Sequence, residues 1–298
     1  MPLSVSIIIP HLNQHDALLR CLASVCDQPN VSEIIVVDNG SRSGLDGVRL
    51  IYPDVRILHE PTPGPGPARN LGATCAHGDV LAFIDADCRA EKDWIAEALW
   101  ALARPEASGV IGGDVRIDVA DPKRLTPLEA YESVFAYRQK MYIERDHYSG
   151  TGNLVVRRDV LQKVGPFGGI GMAEDADWGK RAAALGHSAI YAPAMIVYHP
   201  ARKGYAEIDS KWRRHIAHDR GLLAQGVMRP LHWELRRWML LVSWLPDSLK
   251  LATSRRLSGF GNRLRGVRAL IHTRVFRFRE MGAPAAREVT GAEAWNRG

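Results

Sequence analysis

The chain has 298 residues, enough for one large or two ordinary domains, and with 46% hydrophobic and 24% charged residues it describes a globular protein with a core, which excludes disorder. The opening apolar run, SIIIP, is too short for a signal-peptide core and is broken at once by Pro10, His11 and Asn13; no stretch reaches the roughly 18 apolar residues of a membrane-spanning helix, so the expected location is the cytosol. The net charge of +6 divides unevenly: residues 1–200 carry 19 Lys plus Arg against 25 Asp plus Glu, and residues 201–298 carry 20 against 8.

In chain order, the β-branched runs at 4–10, 33–40, 55–59 and 80–87 predict strands, each ending in polar or turn-forming residues. Between the first two, Asn13 and Asp16 are placed to cap a helix carrying Leu18, Leu22 and Val25 at helical spacing. Further helices are expected from Pro67 to His77 and from Glu91 to Ala103. Strands alternating with helices imply a mostly parallel sheet covered on both faces, with ligands beyond the carboxyl ends of its strands. After about residue 108 the pattern loosens into GVIGGDVRI, a helical segment near 126–142 and GTGNLVVRR at 150–158. AEDADWGKRAAALG, at 173–186, predicts a helix stopped by Gly186, and HSAIYAPAMIVYHP two short strands. Beyond Pro200 the signals are helical: Leu231, Leu235, Trp238, Val242, Leu245 and Leu249 share one face, and Phe260, Leu264, Val267, Ile271, Val275 and Phe278 another. Cysteines 21, 26, 75 and 88 lack zinc-site spacing and are expected as small core residues rather than disulfides.

Candidate chemistry concentrates at predicted strand ends. Asp85 and Asp87 fit hydrated carboxylates leaving a strand; two apart in a strand, they would also aim hard oxygen ligands at one point, which suits Mg²⁺ or Mn²⁺ with nucleotide diphosphate oxygens completing the shell. GPGPARNLG, at 64–72, departs from a dinucleotide fingerprint, since Arg69 stands at its third glycine; Arg69 is either a plain helix-start residue, a cation near phosphate, or the partner of a site carboxylate. Asp38, in VVDNGS, fits turn chemistry or a nucleobase acceptor. Glu174 and Asp175 open a helix, where carboxylates offset the dipole; Asp177 and Trp178 beside them resemble the acid and aromatic platform of a sugar pocket. His199, in VYHP, is a surface histidine unless a metal lies nearby.

Taken in order, Pro10 and Asn13 after the first strand, Asp38, Arg69, Asp85-Ala86-Asp87, EDADW at 174–178 and His199 closely resemble the family 2 glycosyltransferases of GT-A fold, over residues 4 to about 200. The resemblance implies an α/β fold, with a Rossmann-like, mostly parallel mixed sheet flanked by helices and a C-terminal α-helical extension. Its domains would be 1–200, divided into a nucleotide-sugar half (1–107) and an acceptor half (108–200), and a basic amphipathic region, 201–298. By position it implies that Pro10, Asn13, Asp38, Arg69 and Asp85 bind or support the donor nucleotide and that Asp87 and His199 ligate Mn²⁺ or Mg²⁺. Asp175 would be the catalytic base with Glu174 beside it, and Gly152, Asn153, Asp177 and Trp178 would line the acceptor or donor-sugar pocket. The implied reaction is inverting transfer of one sugar from a UDP-, GDP- or TDP-sugar to a glycan or lipid-linked acceptor. The Gln-x-x-Arg-Trp motif of processive members is absent. A nucleotidyltransferase of related fold and a non-catalytic sugar-nucleotide-binding protein are the alternatives.

The basic tail, with Trp233, Trp238 and Trp244, suits an anionic membrane surface, placing the protein at the inner face of the cell membrane. Packing on the core or a homodimer contact explains the same apolar faces equally well, and both readings hold together if Leu faces inward and Arg and Trp outward. No nucleic-acid reading module is visible.

Overall fold

A computed structural model describes residues 3–170, 173–224, 226 and 229–283. The elements run β1 (Val5–His11), α1 (His15–Val25), β2 (Val31–Asp38), α2 (Asp46–Ile51), β3 (Arg56–His59), α3 (Pro65–Cys75), β4 (Val80–Ile84), β5 (Arg89–Ala90), α4 (Trp94–Leu102) and β6 (Val110–Asp118). They continue with α5 (Pro127–Phe135), α6 (Gln139–Glu144), β7 (Asn153–Arg157), α7 (Arg158–Val164), α8 (Glu174–Ala184) and β8 (Ile190–Pro200). The last four are α9 (Tyr205–Ala224), α10 (Pro230–Val242), α11 (Trp244–Thr253) and α12 (Phe260–Gly282).

One sheet, in the order β3-β2-β1-β4-β7-β6-β8-β5, carries the site. β3, β2, β1 and β4 are parallel, as βα crossovers require; β7 then joins β4 antiparallel, and the β6·β7 and β5·β8 pairs are antiparallel too. Parallel character therefore belongs to the first half of the sheet. β1 and β4 are apolar almost throughout because helices cover both faces. The β1·β4 ladder stops at Ile8↔Phe83, so Pro10, which is part of the strand, comes where β1 has already left one neighbour. In α1 the buried Leu18, Cys21, Leu22 and Val25 follow the expected period, but its N-cap is Gln14, without a side-chain capping bond.

Four expectations change. The segment 126–142 is two helices, the first started by a Thr126–Glu129 capping box. Residues 187–200 hold one strand: Pro193 interrupts nothing because β5 pairs only with Val197 and Tyr198, leaving the rest of that edge open. α2, β5 and α7 are elements that were not expected. Of the cysteines, all free, only Cys21 and Cys88 are buried; Cys26 is exposed.

The described residues form two compact units, 3–116 with 138–199, and 117–137 with 200–283. Thus α5 clusters with the C-terminal helices instead of the sheet. In the first unit Ile8, Ile35, Leu81, Phe83, Leu154, Phe167 and Trp178 make the core. In the second, Leu125, Leu128, Ala130 and Tyr131 pack with Ile208, Leu251, Ala269 and Leu270, and the Leu125 N–H donates to buried Asn262 (3.0 Å). A smaller cluster holds Ile216, Trp233, Leu240 and Met281. The predicted inward face of α10 and α11 is reversed: Leu231, Leu235, Val242, Leu245 and Leu249 are exposed, whereas Trp233 is buried. Of the predicted α12 face, Phe260, Leu264 and Ile271 are exposed as well.

Candidate functional site

Parallel registration builds the first wall. His11, Asp38 and His59 are cross-strand partners at the carboxyl ends of β1, β2 and β3. The Asp38 carboxylate accepts from the Ser41 N–H (3.3 Å), faces His11 Nδ1 at 3.2 Å and lies 3.5 Å from His59 Nδ1. The Gln14 N–H donates to His11 Nε2 (3.2 Å), which leaves the ring proton on Nδ1, toward Asp38. Burial pushes the Asp38 carboxyl up, but the bonds from Ser41 and His11 outweigh it and hold the group below its ordinary value. Burial likewise keeps His11 below the usual imidazole range despite Asp38. Asn13, in the left-handed region (φ 54°), donates its N–H to Ser41 Oγ (2.9 Å) and accepts from the Arg42 N–H (2.8 Å). Asn39 donates to the Glu60 and Thr62 carbonyls (2.9 and 2.8 Å) and accepts from the Gly64 N–H (2.7 Å). His11, Asn39 and Ser41 were not singled out from sequence; a buried histidine ending an apolar strand was the available signal for the first.

The second wall is a turn. β4 ends at Ile84, so Asp85 and Asp87 lie beyond it, and the Cys88 N–H closes the turn on the Asp85 carbonyl (2.9 Å). The expected strand pleat is therefore not what brings the acids together. The turn does so: ligand atoms of Asp85, Asp87 and Cys88 all lie within 4.8 Å of one another. Pairing of Arg89 with Tyr198 brings His199 alongside, with Nε2 3.5 Å from Asp87 Oδ2. Burial pushes the Asp87 carboxyl up, against the pull of His199. Burial and the two aspartates push the Cys88 thiol up, which keeps it neutral. A half-buried carboxylate beside an imidazole, with a second carboxylate next to it, fits a divalent cation. Asp87 and His199 would hold it, with Asp85 adjacent.

The third wall is tied to the second by one side chain. Arg69, buried on α3, donates from Nη2 to Asp85 Oδ1 (2.7 Å) and from Nη1 to Glu174 Oε1 (3.1 Å). Of the sequence alternatives for Arg69, this geometry is the carboxylate partner. Gly152 supplies the space for Asp85, since a Cβ there would stand 2.6 Å from Asp85 Oδ2. Asp175, next to Glu174 in the first turn of α8, accepts from the Ala176 N–H (2.8 Å). Burial, and then the Glu174 charge, push its carboxyl up.

A family model described as Glycosyl transferase family 2 matches residues 6–165. The chain is 34% identical to Glycosyltransferase AglE of Haloferax volcanii over 209 residues, 66% of this chain and 67% of the relative. It belongs to glycosyltransferase family 2. This glycosyltransferase is also 27% identical to the pre-mycofactocin glycosyltransferase of Mycobacterium tuberculosis over 206 residues, spanning 43% of that longer protein. In fold it resembles the mannosyltransferase PcManGT from Pyrobaculum calidifontis, solved in complex with GDP-Man and Mn²⁺, with a TM-score of 0.57 at 19% identity over 95% of this chain and 86% of the other. GalNAc-T7, solved with UDP, GalNAc and Mn²⁺, gives 0.51 at 18% identity over 67% and 44%. The architecture of this glycosyltransferase is thus GT-A, and family membership leaves no place for the nucleotidyltransferase alternative.

Two residues expected in the glycosyltransferase's pocket are not on its surface. Trp178 is 1% exposed, packs its ring on Phe167 (5.2 Å between centroids) and donates Nε1–H to the Gly165 carbonyl (2.9 Å), so it offers no face to a sugar. Asn153, with 0% exposure, accepts from Trp94 Nε1–H (2.8 Å) and donates to the Asp114 and Met195 carbonyls (2.8 and 2.9 Å). Its amide joins α4, β6, β7 and β8 in the core. Asp177 accepts from Arg181 Nε (2.9 Å), whose other nitrogens donate to the Val164 and Pro166 carbonyls, so it braces the loop before α8.

Proposed function

We propose that this glycosyltransferase carries one sugar from a nucleotide-diphosphate sugar to an acceptor hydroxyl, with inversion and with the help of Mn²⁺ or Mg²⁺. The observation that carries the reading is the Arg69 bridge, which fixes Asp85, beside the candidate cation pair, and Glu174, beside Asp175, to a single guanidinium. Asp38, kept ionised by its bonds, accepts an N–H of the donor base, with Pro10 and Asn13 in the same wall. Asp85 lies by the ribose. Asp87 and His199 hold the cation, which when bound offsets the charge that grows on the departing diphosphate. Asp175 takes the acceptor hydroxyl's proton as that oxygen bonds to the anomeric carbon and the bond to the diphosphate oxygen breaks. One displacement at one face inverts the centre. Burial favours this role by raising the basicity of Asp175 above that of a surface carboxylate. The GDP- and UDP-containing complexes of the two fold neighbours support a donor of this class. The acceptor is a glycan or a lipid-linked acceptor at the membrane surface.

The test is a thermal-shift and donor-hydrolysis screen of UDP-, GDP- and TDP-sugars with Mn²⁺ and Mg²⁺. Asp175→Asn should keep the donor-induced shift and lose about 10²- to 10⁴-fold in turnover. Turnover near wild type in that variant would overturn the assignment of the base.

A further inference from the structure

Helix α10 has two apolar sides. One is buried through Trp233 and Leu240. On the opposite side Leu231, Leu235, Trp238 and Val242 recur at i, i+4, i+7 and i+11, and across Ser243 the same spacing continues through Leu245 and Leu249 of α11. All six are exposed, from 57% (Leu235 and Trp238) to 77% (Leu231), and Met239 beside them is 58% exposed. The stripe follows roughly 25 Å of helix. Next to it lies a hollow of about 270 Å³ lined by Leu235, Arg236 and Met239 among others. A soluble surface rarely exposes so long an apolar strip without a partner.

Charge decides which partner. Residues 229–256, which contain the stripe, hold six Lys plus Arg and two Asp plus Glu. Arg229 precedes it and Arg255 and Arg256 follow it, all of them exposed, while Arg236 is paired with Asp219 (2.7 Å). A second copy apposed through the same face would set these cations against their own kind, since a two-fold contact pairs a patch with itself. An anionic bilayer satisfies both features: apolar side chains enter the acyl boundary and arginines meet headgroup phosphates. Among the described residues no helix is long and apolar enough to cross a membrane, so the contact lies in the plane of the surface.

We infer that the solvent face of α10 and α11 docks in-plane on an anionic lipid bilayer, through Leu231, Leu235, Trp238, Val242, Leu245 and Leu249. The inference stands apart from the transfer chemistry, because none of these residues belongs to the candidate active site.

The full chain is mixed with vesicles of phosphatidylcholine alone or with about 30% phosphatidylglycerol, at ~0.05 and ~0.5 M salt, and binding is read by co-sedimentation. Binding is expected on the anionic vesicles at low salt, weakened at least about tenfold by high salt, with a blue shift of tryptophan emission. The double variant Val242→Glu, Leu245→Glu changes exposed positions only; it should keep its far-ultraviolet dichroism and any donor-induced thermal shift and lose about tenfold or more in vesicle binding. Wild-type chain that ignores anionic vesicles at low salt, or a folded double variant that binds undiminished, overturns the inference. A wild-type dimer that falls to monomers in the variant, with no vesicle binding by either, assigns the face to a second copy instead. Absence of a donor response would count against the proposed transfer reaction and leave this result untouched.

Discussion

Gly152 is needed for space. A Cβ there would stand 2.6 Å from Asp85 Oδ2, so Gly152→Ala must push either the loop between α6 and β7 or the aspartate, and the aspartate is held by Arg69. Overpacking of this kind costs about 1–3 kcal/mol. We expect a variant that folds, with a slightly lower melting temperature and a kcat/KM lowered by about one or two decades; unchanged kinetics would show that Asp85 is not held where the reaction needs it. The pH profile tests the next residue. As the proposed base, Asp175 must be ionised to accept a proton, and its raised pKa predicts that activity falls as pH drops through that value, at higher pH than for an ordinary carboxylate. Glu174→Gln removes the negative neighbour, lowers the Asp175 pKa and should move the acid limb of the kcat profile to lower pH. Movement to higher pH would be inconsistent with Asp175 as the base. Asp85 and Asp87 were legible together because they follow an apolar run, whereas His199 read as a surface histidine and joined them only through the family resemblance. Trp178 was misjudged for a readable reason: with Ala182 one turn on, it marks the inward stripe of α8, a stronger signal than the acids beside it.

At the scale of elements, the site depends on joints whose partners are far apart in the chain. Asn153→Ala would leave Trp94 Nε1–H without its acceptor in the core, at about 1–3 kcal/mol, and take one hydrogen bond from each of two carbonyls. Urea unfolding should show a loss of several kcal/mol; a loss below about 1 kcal/mol would mean that the joint is rebuilt by other groups. No local pattern announces such a joint, since Asn153 and Trp94 are 59 residues apart. Glu33, on β2, is similar. Burial alone would raise its carboxyl, but bonds from the His77 N–H, Ser6 Oγ and Arg56 bring it to about 2. A folded-state value below the unfolded one stabilises at pH above about 4.5, and this part is lost as pH falls toward 2. Glu33→Gln should therefore be less stable than wild type near neutrality and converge with it in acid; a constant gap between the two urea midpoints would refute the linkage. Strands and helices of the parallel half were legible because each is one period bounded by turns. The faces of α10 and α11 were not, because periodicity tells that a side is apolar and leaves open what covers it.

For the whole molecule, the boundary expected near residue 200 needs amending: the segment 117–137 clusters with the helices that follow the sheet, as the apolar face of α5 (Leu128, Ala130, Tyr131) finds its partners among them. A donor bound at about 100 times its Kd adds roughly 2.7 kcal/mol of stability to the unit that binds it. Donor with Mn²⁺ should therefore raise the melting temperature by a few degrees, and chelation should remove most of that rise. A rise that chelator leaves intact, and that Asp87→Asn does not reduce, would remove the cation from the proposal. The Arg69 bridge has one more consequence. In the proposed reaction, the guanidinium shared by Asp85 and Glu174 couples donor binding beside Asp85 to protonation of Asp175, and such coupling is reciprocal. The factor by which a bound donor shifts the proton affinity of Asp175 must equal the factor by which that proton shifts the donor's dissociation constant, so either titration predicts the other.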